Sequence, residues 1–166
     1  MYDELTKKDI ERMEQEIEYR KLVVRKEALE AVKEARAHGD LSENFEYHAA
    51  KKDKNQNESR IRYLERMIKT AKIVSDTSKS DEVGINNTVE VYFEDDDETE
   101  RYTLVTTVRG NSLKGYISTE SPIGRALLGH KAGERVFVDM GGGGYYVVIQ
   151  KIENTEDDGS IGLRRF

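Results

Sequence analysis

The chain has 166 residues, 36% charged and 36% hydrophobic, with one proline, no cysteine, no tryptophan and a net charge of −6. Without cysteine there is no disulfide framework and no thiolate chemistry or thiolate metal site, and so acidic a chain is a poor nonspecific binder of duplex DNA. No apolar run approaches the roughly 18 residues of a membrane span and no apolar signal region is visible, so a soluble cytoplasmic protein is expected, and the modest apolar share suits an elongated chain of one or two small domains.

Residues 5–37 contain no Pro or Gly and are rich in Glu, Lys, Arg and Ala, all strong helix formers. Ile10, Met13, Ile17 and Val24 follow a three–four spacing interrupted at Arg20 or Lys21, and Leu22, Leu29, Val32 and Ala35 continue it in a shifted phase. This predicts one long helix with a stutter, roughly 50 Å long at 1.5 Å per residue. Gly39 predicts the end of that helix. Asp40, with Glu43 three positions on, fits the N-cap pattern of a second helix running from about Ser42 to about Ser75. Its late half repeats cleanly (Asn57, Ile61, Leu64, Ile68, Ala71), whereas its early half is more polar (Phe45, His48, Ala49, Lys52). The two helices are expected to zip as an antiparallel coiled-coil hairpin over residues 1–76. The bend, residues 39–46, holds Asp40, Glu43 and Glu46, and no Lys or Arg falls between His38 and Lys51. The returning segment 51–72 carries eight bases against three acids, which predicts a basic face able to track phosphates.

Residues 77–87 are polar and are expected as a linker. Beyond them the period changes to two. Strands are predicted at 88–94, 101–106, 115–118, 134–138 and 145–152, with a brief helix that Ser121 caps, Pro122 opens and Gly129 ends. The expected class is α+β: a helical hairpin followed by an antiparallel β domain over 88–153 with a short helix. Residues 154–166 are expected as a flexible tail.

Gly39-Asp40-Leu41-Ser42-Glu43-Asn44, followed by Glu46-Tyr47-His48-Ala49-Ala50-Lys51, closely resembles the tip of the bacterial transcript-cleavage factors of the GreA/GreB family. Ser121-Pro122-Ile123-Gly124-Arg125-Ala126-Leu127-Leu128-Gly129 resembles a segment of their C-terminal FKBP-like domain. The resemblance covers nearly the whole chain up to about Ile152. Leu41 leans towards the GreA form, and Phe45 departs from it, since a small residue is commoner there and packing at the tip could change. The resemblance implies a transcription elongation factor that binds bacterial RNA polymerase through its secondary channel and stimulates the polymerase's own cleavage of backtracked RNA. On that reading the chain is not itself an enzyme and binds no cofactor alone. Asp40 and Glu43 would be its catalytic contribution and would share a Mg2+ with the polymerase. Asp40 would act as metal ligand, and Glu43 would assist the metal or align the water. Arg36, Lys51, Lys52 and Arg60 are the basic residues best placed to guide the nascent RNA 3′ segment. Glu120, Ser121 and Pro122 would dock on the polymerase. The protein would be monomeric, with no membrane partner.

The plainer reading of Asp40 and Glu43 is helix capping, and both can hold, because a capped turn is also a rigid one. Glu46 reads as structural, and His38 and His48 as surface or packing residues. A channel-binding regulator without cleavage activity is the alternative function, and the Asp-x-x-Glu spacing argues against it. A prolyl isomerase is suggested only by the FKBP-like fold, and the chain lacks the Trp expected at such a pocket's floor. A coiled-coil scaffold would need no acids at its bend.

Overall fold

The computed structural model describes residues 3–40, 43–76 and 78–165. Leu41 and Ser42, and with them the GreA-leaning position and the expected helix start, lie outside the described residues. So do Met1, Tyr2, Thr77 and Phe166, at the edges of the expected hairpin, linker and tail. The chain divides into two compact units, one built on Lys8–Ala71 and the other on Glu4–Lys7 with Lys72–Arg165.

In chain order, strand β1 (Glu4–Leu5) precedes helix α1 (Lys7–Tyr19), a π-helical turn (Arg20–Val24) and helix α2 (Arg25–Arg36). The π turn sits where the apolar spacing breaks. Its wider hydrogen-bonded loop takes up an extra residue and rotates the helix beyond it. Met13 on one side, and Val32 and Ala35 on the other, are therefore all buried. The same rotation corrects the expected stripe: Leu22 and Leu29, seven residues apart, are exposed.

Helix α3 (Phe45–Thr70) buries Tyr47, Asn57, Arg60, Ile61, Leu64 and Met67. It stops short of the expected Ser75 because the chain turns extended at Ala71. Strand β2 (Lys72–Ile73) then pairs in parallel with β1, and the Val74 amide donates to the Leu5 carbonyl at 2.9 Å.

The second unit carries strands β3 (Thr88–Phe93), β4 (Glu98–Val105) and β5 (Tyr116–Ser118), helix α4 (Pro122–Leu127), and strands β6 (Arg135–Asp139) and β7 (Gly144–Glu153). The sheet order is β5-β4-β3-β7-β6. All neighbours are antiparallel except β4 and β5, so the expected antiparallel sheet carries one parallel pair at its edge. Two 3-10 turns, Thr107–Arg109 and Ser112–Lys114, carry the chain back so that β5 starts again in the direction of β4. Opposite Glu90 and Val91 the β7 register slips by one residue. That bulge leaves Gln150 and Lys151 both exposed, and lets Ile149 and then Ile152 face the core. The core joins Val83, Val89, Val91, Leu104, Ile117, Leu127, Val136, Val138, Val147 and Ile149.

Two boundaries differ from expectation. Val83, Ile85 and Asn87 of the expected linker are buried, and Val83 exchanges backbone hydrogen bonds with His130 and Gly129 at 2.8 Å each. These residues belong to the β unit, since isolated apolar side chains among Ser, Asp and Asn gave no periodic signal. The expected flexible tail packs as well. Thr155 bonds Thr88 and Asn86, and the Asp157 carboxylate lies 3.7 Å from buried Arg109. Among the described residues no helix is long and apolar enough to cross a membrane.

Candidate functional site

The bend between α2 and α3 is built by two helix ends. The last turn of α2 tightens as the amides of Ala37 and His38 donate to Glu34 and Ala35 at 3.1 and 3.2 Å. Gly39 follows at φ +134°, a conformation that side-chain-bearing residues rarely adopt. Asp40 and Glu43, the predicted catalytic pair, are both exposed on this bend.

The cap of α3 is Asn44, not Asp40. Its side-chain oxygen accepts from the Tyr47 amide at 3.0 Å, the geometry of an N-cap. Its amide nitrogen donates to the Ala35 carbonyl at 2.5 Å, so one side chain ties the start of α3 to the end of α2. The sequence signal was present but weaker. Asn is a favoured cap, yet the residue three beyond it is Tyr47, whereas Asp40 and Glu43 matched the capping pattern fully. The cap on Asn44 leaves the two carboxylates outside the helix.

Below the bend, Val32, Ala35 and Tyr47 are buried together, with Ala50 packed against them. The Arg36 guanidinium lies 5.5 Å from the centre of the Tyr47 ring and Lys51 Nζ lies 6.0 Å from it. The hydrogen bond from Arg36, helped by the charges of Lys51 and Lys54 and opposed by burial, holds the Tyr47 hydroxyl below its ordinary pKa. His38 Nδ1 and Glu46 Oε2 are 3.1 Å apart on the exposed side of the bend. Phe45 is 85% exposed and lies outside the buried cluster of described residues below the bend.

The predicted basic set divides. Arg36, Lys51 and Lys52 are exposed near the bend. Lys51 and Lys52 share a shallow depression with His48, Asn55, Gln56 and Ser59. Arg60 is different. It is 6% exposed and its guanidinium is bound to Glu16, so it faces the stem interior rather than a phosphate. Its helical position alone could not show that an acid on the opposing helix claims it.

The predicted docking residues lie together in the β unit. Ser121 caps α4 by accepting from the Gly124 amide at 3.1 Å, and donates to the Ser118 carbonyl at 2.6 Å. Glu120 accepts from the Thr107 hydroxyl at 2.5 Å, and Pro122 is exposed at the helix start.

Carboxylate oxygens are suitable donors for Mg2+, which prefers a few hard oxygens and keeps several waters. Among the described residues no group of three or more His, Cys, Asp or Glu side chains could hold a metal ion. Asp40 and Glu43 each carry carboxylate oxygens of that kind.

Family models described as "Transcription elongation factor, N-terminal" and "Transcription elongation factor, GreA/GreB, C-term" match residues 4–73 and 77–154. The chain is 43% identical over 148 residues to transcription elongation factor GreA of Bacillus subtilis, covering 89% of this chain and 94% of that protein. It is 45% identical over 140 residues to GreA of Caldanaerobacter subterraneus, covering 84% and 89%. Among solved structures, GreA factor homolog 1 of Thermus thermophilus matches at 27% identity over 93% of this chain and all of that one, with a TM-score of 0.43.

Proposed function

Because the chain belongs to the GreA/GreB family of transcription elongation factors, we propose that it enters the secondary channel of RNA polymerase and stimulates cleavage of backtracked RNA. The observation that carries this reading is the exposure of Asp40 and Glu43 on a bend whose helix cap is supplied by another residue. Both residues lie at the surface, where a partner can approach them. Helix α3 alone spans about 39 Å at 1.5 Å per residue, a length suited to reaching into a channel that a globular domain cannot enter.

Mg2+, when bound, supplies a Lewis acid to the scissile phosphate and lowers the pKa of its water. Asp40 supplies a hard oxygen ligand, and Glu43 assists as ligand or orients the attacking water. Lending these groups from a separate chain makes cleavage conditional on docking. Arg36, Lys51 and Lys52 present positive charge to the extruded RNA 3′ segment. Glu120, Ser121 and Pro122 form the polymerase-docking loop, and the protein acts in the cytoplasm as a monomer.

The test is a polymerase halted in a backtracked complex. Addition of the protein is expected to release short 3′-terminal RNA fragments in a Mg2+-dependent manner. Asp40→Ala or Glu43→Ala is expected to lower cleavage at least about tenfold with polymerase binding retained. Binding of the native protein without fragments would replace this reading with that of a channel-binding inhibitor.

A further inference from the structure

Residues 155–165 lie beyond the family match, and the structure ties them to the β unit at both ends. Thr155 bonds Thr88, Asp157 lies 3.7 Å from buried Arg109, and the Arg164 amide donates to the Val108 carbonyl at 2.5 Å. Between these ties the chain turns: Gly159 takes φ +85°, and the Asp158 carboxylate accepts from the Ser160 amide at 2.8 Å. Residues 160–165 then line a depression of about 980 Å³, together with the Ser112–Lys114 turn, β5 and the start of α4.

This depression inverts the charge of the chain that carries it. The protein has 33 acids and a net charge of −6, yet no Asp or Glu lines the depression, whereas Lys114, Arg164 and Arg165 do. All three are exposed, and among the described residues none of them forms an ion pair with an acid. Apolar side chains stand among these cations. Leu113 is 98% exposed, and Ile123, Ile161 and Leu163 are half-buried. An exposed apolar patch with a polar border marks a protein-binding surface, and arginine is enriched in such surfaces. Single-stranded nucleic acid would use the cations but gain little from leucine and isoleucine, since it stacks on aromatic rings and only Tyr116 supplies one here.

We propose that this depression docks an acidic peptide segment carrying an apolar side chain: Leu113, Ile123 and Leu163 receive the apolar group, and Lys114, Arg164 and Arg165 receive the carboxylates. None of these residues belongs to the hairpin, so the surface stands independently of the cleavage function.

The test pans full-length protein against a random library of short peptides, with the Arg164→Ala, Arg165→Ala double variant panned in parallel. Enriched sequences are expected to be acidic and to contain Leu, Ile or Phe. Synthesised with a fluorescent label, they should bind the native chain more weakly as NaCl rises. The double variant should weaken binding roughly fivefold, and Leu113→Ala at least about fivefold. Because these side chains are exposed, both variants should melt as the native chain does. Enriched peptides without acids, no enrichment over the double variant, or equal affinity for the native chain and both variants overturns the proposal. A lower melt in either variant would assign its side chains to holding the fold and overturns it as well. So does a labelled oligouridylate that binds as tightly as the enriched peptide and is displaced by it, since the depression would then read phosphates.

Discussion

Arg60 grips the carboxylate of Glu16 from forty-four residues away, with Nε 2.7 Å from Oε2 and Nη2 3.2 Å from Oε1. Arg20 donates to the same Oε2 at 2.8 Å and reaches Asn57 Oδ1 at 3.0 Å, while Asn57 Nδ2 lies 3.4 Å from the Arg20 carbonyl. This polar layer lies where the π turn begins. A polar group inside a helical seam tolerates one register and penalises its neighbours. The layer accordingly fixes how the first helix slides against α3, and hence which residues meet at the bend.

Glu16→Gln tests that layer. It removes the negative charge that Glu16 places against the Arg60 guanidinium, which is 7% exposed. We expect a loss of about 2 kcal/mol, less than the roughly 3–5 of a fully buried pair because Glu16 still touches water. The acid limb should change too. Burial alone would raise the Glu16 pKa, but the bonds and charges of Arg60 and Arg20 outweigh it and hold the group below its ordinary 4.5. A carboxylate lowered in the folded state stabilises the fold fully above its unfolded pKa. That contribution fades as pH drops below 4.5 and is gone beneath the native value. Helical ellipticity followed from pH 6 down to 2 should fall in the native chain with a component that Glu16→Gln lacks.

Asp157→Ala addresses the tail. Arg109 is 2% exposed, Asp157 Oδ2 lies 3.7 Å from its Nη1, and Asn86 Oδ1 accepts from its Nη2 at 2.5 Å. Removing the carboxylate takes a negative charge away from a buried cation, a change worth about 3 kcal/mol. Further along the tail, the Arg164 amide donates to the Val108 carbonyl at 2.5 Å. Exchange of that amide should accelerate about a hundredfold, since each 1.4 kcal/mol is a factor of ten. Unchanged protection at Arg164 would show that the ion pair does not hold the tail.

The hairpin was legible in the sequence because charge-rich helix formers without Pro or Gly run up to Gly39 and resume after it. The β strands were legible because alternation such as Val89, Val91 and Phe93 has one physical meaning. The stutter at Arg20 and Lys21 announced a phase change, though not that a π turn would absorb it and leave Leu22 and Leu29 in solvent. What failed to show were pairings between distant residues. Nothing local says that Arg60 belongs to Glu16, that β5 runs parallel to β4, or that Asp157 answers Arg109. The cap at Asn44 was hidden for a different reason: two acids at the favoured spacing stood just before it.

Phe45 and Tyr47 separate exposure from aromaticity. They lie two residues apart on α3, yet Phe45 is 85% exposed and Tyr47 is 9% exposed within the Val32–Ala35 cluster. Phe45→Ala should move stability by no more than about 0.5 kcal/mol. Tyr47→Ala should cost about 3 kcal/mol and release Arg36 from the ring it lies over. Denaturant melts of the two variants, followed by helical ellipticity, should differ clearly in midpoint. Equal midpoints would mean that the cluster below the bend contributes nothing.

Residues 141–144 are four consecutive glycines, and they are not equivalent. At Gly144, which pairs with Asp139 at the mouth of β6 and β7, an added Cβ would fall 2.0 Å from the Val138 carbonyl oxygen and 2.7 Å from the Phe137 ring. Backbone would have to move, so Gly144→Ala should cost about 1–3 kcal/mol. At Gly142 nothing lies within 4 Å of the added atom and φ is not positive. Gly142→Ala should therefore be neutral or stabilise by about 0.4–1 kcal/mol, by narrowing the unfolded ensemble. Denaturant titrations followed by tyrosine fluorescence would read both. A loss at Gly142 as large as at Gly144 would mean that the turn depends on backbone freedom throughout, rather than on one close approach between strands.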